Sequence, residues 1–96
     1  MNGTTTKTKL YSNGNLMYNE NYFNGEEHGL CEGYHENGKP WYKCNWYNGT
    51  KHGLEEVYYL NGTLRYKINY INGKRHGLLE GYHSNGNLQY KEFHLS

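Results

Sequence analysis

The triplet His28-Gly29-Leu30 returns as His52-Gly53-Leu54 and again as His76-Gly77-Leu78, each time 24 residues further along the chain. Four residues ahead of each His stands an Asn-Gly pair, at Asn24-Gly25, Asn48-Gly49 and Asn72-Gly73. A second Asn-Gly series is interleaved with it, at Asn13-Gly14, Asn37-Gly38, Asn61-Gly62 and Asn85-Gly86, so the spacing alternates between 11 and 13 residues. Self-similarity at such a period marks an array of stacked supersecondary units, here with two turns in each.

The segments between turns, such as 15–23 and 26–36, are rich in Tyr, Trp, Ile, Leu and Lys, and only one Pro occurs in the chain. Strands suit them. Asn-Gly between such runs is a strong hairpin signal, because Asn tolerates and Gly prefers the positive φ angles of a type I′ turn. The expected fold is all-β: a single elongated, twisted antiparallel meander of seven or eight strands within one domain. Residues 1–9 form a lead-in, with strand character over 4–11. The full units are 10–33, 34–57 and 58–81, followed by a partial unit at 82–96.

Alternation along the strands sets the faces. Even positions collect Leu16, Tyr18, Tyr22, Leu30, Tyr34, Tyr42, Trp46, Leu54, Tyr66, Ile68, Tyr70, Leu78, Tyr82 and Tyr90, whereas odd positions are mostly Gly, Lys, Asn and Glu. A slip of one residue flips a whole strand, and two registers compete. Tight turns place Glu32 opposite Lys43, Glu56 opposite Lys67 and Glu80 opposite Lys91, and lay Tyr42 over Gly33 and Tyr90 over Gly81. Turns bulged at a glycine keep the even aromatic set on one side, with Tyr34 opposite Tyr42. The bulged register is the expectation, because it separates apolar from polar better and accounts for a Gly after each repeated His.

Only 34% of the chain is apolar, yet it carries 12 Tyr, two Trp and two Phe, so aromatic rings must supply most of the burial. Ten Lys and Arg against nine Glu leave a formal charge of +1, dispersed along the chain, which argues against a nucleic-acid footprint. No apolar run is long enough for a membrane span or the core of a signal peptide, and a non-secreted, cytoplasmic protein is expected. Cys31 and Cys44 lack metal-ligand spacing and are expected as reduced thiols. Asn2-Gly3-Thr4, Asn48-Gly49-Thr50 and Asn61-Gly62-Thr63 match the glycosylation pattern but are read as turns. Heavy use of Asn, Tyr and Lys suits an AT-rich genome.

The recurring Tyr-x-x-x-Tyr-x-Asn-Gly-x-x-His-Gly-Leu, seen at Tyr18 to Leu30 and at Tyr66 to Leu78, resembles the MORN (membrane occupation and recognition nexus) repeat. It is most similar to the variant found in bacterial proteins labelled as antitoxins and in large DNA viruses, over residues 10–96. The resemblance implies a twisted hairpin array with an aromatic-lined surface. It also implies roles in protein–protein contact, self-assembly or, in some members, lipid contact. Glu20, Cys44, Ile68 and Glu92 stand where the commoner pattern has glycine.

Catalytic chemistry finds little to stand on. His28, His52 and His76 fall about two strand spacings apart, ~9–10 Å, too far to share one ion at ~2.1 Å per bond, so turn-closing roles are expected. The absence of Asp rules out a Ser-His-Asp arrangement. Cys31 has no recognisable orienting acid or oxyanion element. Glu32, Glu56 and Glu80 are as far apart as the histidines, which favours salt bridges or Tyr hydroxyl bonds over acid–base pairing. No glycine-rich phosphate loop precedes a helix, and Lys-flanked aromatics such as Trp41-Tyr42-Lys43 carry too little net charge for nucleic acid. No enzyme activity, metal or cofactor is expected.

Large rings that interrupt the polar face are the candidate partner-binding surface: Trp41, Tyr47 and Tyr59, joined by His35 and His83. The bland alternative is that they shield neighbouring backbone or glycines. The function expected is a non-catalytic protein-interaction or scaffold module, with self-association through open sheet edges. Neutralisation of a toxin enzyme and peripheral lipid binding are the alternatives.

Overall fold

The computed structural model describes residues 3–95; Asn2 of the first Asn-Gly-Thr and Ser96 of the last unit lie outside the described residues. Ten strands form one antiparallel sheet: β1 (Thr4–Leu10), β2 (Leu16–Phe23), β3 (Glu26–Glu27), β4 (Gly29–Tyr34), β5 (Pro40–Tyr47), β6 (Thr50–Lys51), β7 (Gly53–Tyr58), β8 (Leu64–Ile71), β9 (Lys74–Tyr82) and β10 (Leu88–His94). Sheet order follows chain order, with β3 beside β2 and β6 beside β5. Because β3 and β4 are one strand interrupted at His28, and β6 and β7 one interrupted at His52, the sheet is an eight-run meander. No helix occurs among the described residues.

The molecule is a plate of 44 × 38 × 11 Å. Its radius of gyration, 14.8 Å, exceeds the ~12.5 Å of a compact domain of this length, as a single layer requires. One layer leaves little interior. Cys31, Cys44, Ile68 and Leu79 are the buried apolar side chains, with Glu55 the buried charge.

The two Asn-Gly series make different turns. At Asn24-Gly25, Asn48-Gly49 and Asn72-Gly73 both residues have positive φ, the Asn near +50° and the Gly near +82 to +85°, which is the two-residue type I′ geometry. In the other series only the glycine is left-handed: Gly38 N–H donates to His35 O (2.9 Å) and His35 N–H to Lys39 O (2.9 Å), closing a three-residue loop. There the asparagine acts through its side chain. Asn37 Oδ1 accepts from Lys39 N–H at 2.9 Å, and Asn13, Asn61 and Asn85 repeat the bond. The longer spacing thus holds one extra loop residue, Glu36 ahead of Asn37, and one extra strand residue, in 26–35 against 15–23.

The strand register is the tight one, which overturns the expectation of an all-even aromatic face. Gly33 faces Tyr42 and Glu32 faces Lys43, while Tyr34 faces Pro40 and not Tyr42. A Cβ at Gly33 would collide with the Tyr42 ring, and one at Gly81 with the Tyr90 ring, so the bare glycines admit rings that a tyrosine-to-tyrosine register would crowd. Even residues of β2, β5 and β8 therefore share a face with odd residues of β4, β7 and β9. Leu30, Leu54 and Leu78, expected among the aromatics, lie exposed on the opposite face.

Bulges do occur, but at the strand ends. Beside each three-residue loop one residue is left out of pairing: Met17, Trp41, Arg65 and Gln89, at a spacing of 24. At the other end the register slips by two residues, from Tyr22 opposite Glu27 to Asn19 opposite Glu32. Gly29, with φ +90°, sits in that slip, as do Gly53 and Gly77 at +107° and +86° in their units. Asn21 Nδ2 donates to Leu30 O (2.5 Å) and Asn45 Nδ2 to Leu54 O (2.9 Å), satisfying the carbonyls that the slip turns out of the ladder.

Candidate functional site

The bulged residue beside each three-residue loop re-aims its side chain along the sheet rim. Trp41 stacks on His35, with ring centroids 5.4 Å apart and planes 26° from parallel. One unit on, Arg65 takes the place of Trp41 and Tyr59 that of His35, and the Arg65 guanidinium lies 5.9 Å from the centre of the Tyr59 ring. Trp41 remains 46% exposed.

The inner members of these pairs also tie unit to unit. Tyr11 hydroxyl donates to Tyr34 O (2.7 Å) and Tyr59 hydroxyl to Tyr82 O (2.7 Å), while His35 Nε2 stands 3.5 Å from Tyr58 O. Asn13, Asn37 and Asn61 reach the next loop in the same way, at Glu36 O, Leu60 O and Ser84 O. The rim is thus a built ladder with His35, Tyr59 and His83 at successive rungs. It carries an outer layer of Trp41 and Arg65.

Tyr47 belongs to the opposite rim, at the type I′ turns. Its ring lies between His28 (5.0 Å) and His52 (6.5 Å), with Phe23 beyond His28 at 5.5 Å. Trp41 and Tyr47 stand near opposite ends of β5, ~20 Å apart at ~3.3 Å per residue. Four of the five candidate residues therefore line one rim and Tyr47 stands apart. Arg65 was missed because a cation on a polar strand looks like a solvated charge; its 24-residue offset from Trp41 was the available signal.

Two of the repeated histidines, His28 and His52, close turns as expected. Asn48 N–H donates to His28 Nδ1 (3.3 Å) and Asn72 N–H to His52 Nδ1 (3.4 Å), so each imidazole caps the following turn. Among the described residues no group of three or more His, Cys, Asp or Glu is placed to hold a metal ion. No helix of the described residues is long and apolar enough to cross a membrane.

The two faces differ in chemistry. Across one runs a row of alternating charge, Glu32, Lys43, Glu56, Lys67, Glu80 and Lys91, each opposite the next. Tyr34 hydroxyl donates to Glu32 (2.8 Å) and Tyr82 hydroxyl to Glu80 (3.2 Å), and Lys67 pairs with Glu80 at 3.8 Å. These are the salt-bridge and hydroxyl roles expected for the glutamates.

The other face holds a groove of about 340 Å³ lined by Glu20, Cys31, Tyr42, Trp46, Lys51 and Glu55 among others. Lys51 forms an ion pair with Glu55 and lies over the Trp46 and Tyr70 rings, at 5.8 and 5.1 Å. The hydrogen bond from Tyr22 to Glu20 (3.0 Å), aided by burial, holds the Tyr22 phenol up at about 12. Burial pushes both thiols above their ordinary range.

Residues 27–48, 51–72 and 75–95 each match the family model of the MORN repeat variant, together covering more than half of the chain. The chain belongs to the MORN repeat variant family. Comparison with curated proteins and with solved structures finds no match. The matched MORN units start 24 residues apart and keep the three-residue loop whole, so that the Trp41 and Arg65 rim sits mid-unit. MORN repeats are in general protein- or membrane-interaction modules and are generally not catalytic.

Proposed function

We propose that this chain is a non-catalytic protein-interaction or scaffold module whose docking surface is the rim carrying Trp41, His35, Tyr59, Arg65 and His83. The observation that carries the reading is the Trp41–His35 stack followed one unit later by Tyr59–Arg65. It sets a large half-exposed aromatic and an arginine about two strand spacings apart, ~9–10 Å, on a hydrogen-bonded frame. Trp, Tyr and Arg are the residues on which binding energy concentrates, and a pre-ordered frame lowers the entropy cost of docking.

Protein is favoured over lipid because Lys43, Lys67 and Lys91 each face a glutamate across the sheet, which leaves no block of unopposed positive charge on that face. β1 and β10 are the edge strands of the sheet formed by the described residues, which supports self-association by strand addition.

The test is affinity purification from the native host with the wild-type chain and with Trp41→Ala/Arg65→Ala, alongside light scattering of the free protein and flotation with anionic vesicles. A partner retained by the wild type and weakened at least ~10-fold by the double variant supports the reading, given that each hot-spot truncation costs ~1–2 kcal/mol. Flotation at low salt, or binding indifferent to both substitutions, overturns it.

A further inference from the structure

The chain has two cysteines, and they face each other. Cys31 in β4 and Cys44 in β5 are direct partners across the antiparallel pair, both thiols are free, and both are buried. Both lie within the matched unit 27–48, on the two strands that flank its three-residue loop. The equivalent places in the next two matched units hold Glu55 opposite Ile68 and Leu79 opposite Glu92. Only the first matched unit therefore carries thiols.

Directly opposed residues of an antiparallel pair have Cα atoms ~4.5–5.5 Å apart, inside the ~4.4–6.8 Å that a disulfide spans. Their Cβ atoms stand ~4.5–5.5 Å apart, so a small closure reaches the ~3.5–4.5 Å of a bridge. Access exists as well. Both side chains line the groove, which opens on the same face as Tyr42 and Trp46.

The geometry points to a paired-thiol modification site, in which Cys31 and Cys44 are oxidised to a cross-strand disulfide by a low-molecular-weight disulfide such as glutathione disulfide. One cysteine thiolate attacks a sulfur of the reagent, breaking its S–S bond, forming a mixed disulfide and releasing one glutathione thiolate. The second cysteine thiolate attacks the protein sulfur of that mixed disulfide and expels the other glutathione. The two protons lost by the cysteines end on the two released thiols, and two electrons pass from protein to reagent. The new bond staples β4 to β5 within the unit 27–48 and leaves the later units unlinked. Burial of both thiols favours their neutral forms and makes the first attack slow at neutral pH.

The full chain is incubated at pH 8 with mixtures of glutathione and its disulfide, acid-quenched, alkylated and digested for mass spectrometry, with a parallel sample in urea. Both thiols should disappear together, giving a monomer with a Cys31–Cys44 link, a raised thermal midpoint, and reversal by dithiothreitol. In Cys31→Ser the mixed disulfide at Cys44 should persist, for want of a resolving thiol. Stable glutathione adducts on the wild type, disulfide-linked dimers, or thiols that react in urea but not in the native chain would each overturn the assignment. The wild-type readouts decide the question even where Cys31→Ser fails to fold.

Discussion

Two rows of side chains cross this sheet one residue apart, and they are held by different forces. On one face Glu32, Lys43, Glu56, Lys67, Glu80 and Lys91 alternate in sign across six strands. On the other, the adjacent positions are Cys31, Cys44, Glu55, Ile68, Leu79 and Glu92, and four of these six are the buried apolar side chains among the described residues. The charges help specify which residues stand opposite one another, because a slip would part each Glu from its Lys. The apolar row supplies burial. A plate one layer thick keeps register and stability on separate faces, and substitutions at neighbouring positions test the division.

The widest gap is expected between Ile68 and Lys67. Ile68 is 1% exposed, and Ile68→Ala removes three carbons where one layer has little to collapse into the gap, a loss of ~2–4 kcal/mol. Lys67, its neighbour in the chain, is paired with Glu80 at 3.8 Å in contact with solvent, and Lys67→Ala should cost less than ~1 kcal/mol. Urea midpoints of the two variants measure the difference. Equal losses would mean that the faces do not divide the work.

Gly33 gives the next effect. A methyl there meets the Tyr42 ring, so Gly33→Ala should destabilise by ~1–3 kcal/mol, the usual cost of overpacking. Tyr42→Ala/Gly33→Ala should recover part of it, and a cycle of denaturation midpoints would show coupling between the two sites. Strict additivity would place the glycine's role in the backbone and not beneath the ring.

Gly33 also marks what was legible in the residues and what was not. The period, the strands, the meander and the turn-closing histidines follow from spacing and from Asn-Gly chemistry. The faces do not, because Tyr34 and Tyr42 look like natural partners and a bare glycine beneath a ring looks like waste. Counting apolar residues on each side favoured the wrong register. The Glu–Lys pairs at 32/43, 56/67 and 80/91 favoured the right one and were weighed too lightly. At the candidate site, Trp41 stood out as an aromatic among polar neighbours, but its bulge and its equivalence to Arg65 became visible only with the pairing. Tyr47 shares a candidate surface with Trp41 by parity alone, and parity does not say at which end of a strand a ring stands.

Alkaline titration should separate the faces by cause. Burial first, then nearby charge, raises Tyr42 and Tyr66 on the packed face, whereas on the charged face the bond to Glu32 is the first cause for Tyr34. Glu32→Gln should therefore return Tyr34 towards the ordinary phenol value of 10.0 and leave Tyr42 where it is, as read from phenolate absorbance. These tyrosines, Tyr22, both thiols and Lys51 are all shifted upward, so the fold prefers their protonated forms. That contribution is complete below the unfolded values. It is lost as pH rises, first above the ordinary thiol value of 9.0 and last near 12, where Tyr22 ionises. A thermal midpoint that stayed level from neutral pH to 11 would contradict the shifts.

The smallest effect belongs to the charged row. Lys67→Glu sets like charges opposite Glu56 and beside Glu80, yet both lie at a solvent-facing surface where a pair is worth ~0.2–1 kcal/mol. The substitution should lower the urea midpoint slightly at low salt, and the loss should shrink at ~1 M salt, where screening acts within ~3 Å. Pairing errors are the sharper readout. If the row specifies register, Lys43→Glu/Lys67→Glu should broaden the amide spectrum of β4, β5, β7 and β8 well before the fold is lost. A double variant as well ordered as the wild type would assign register to the glycine–ring pairs of the packed face alone.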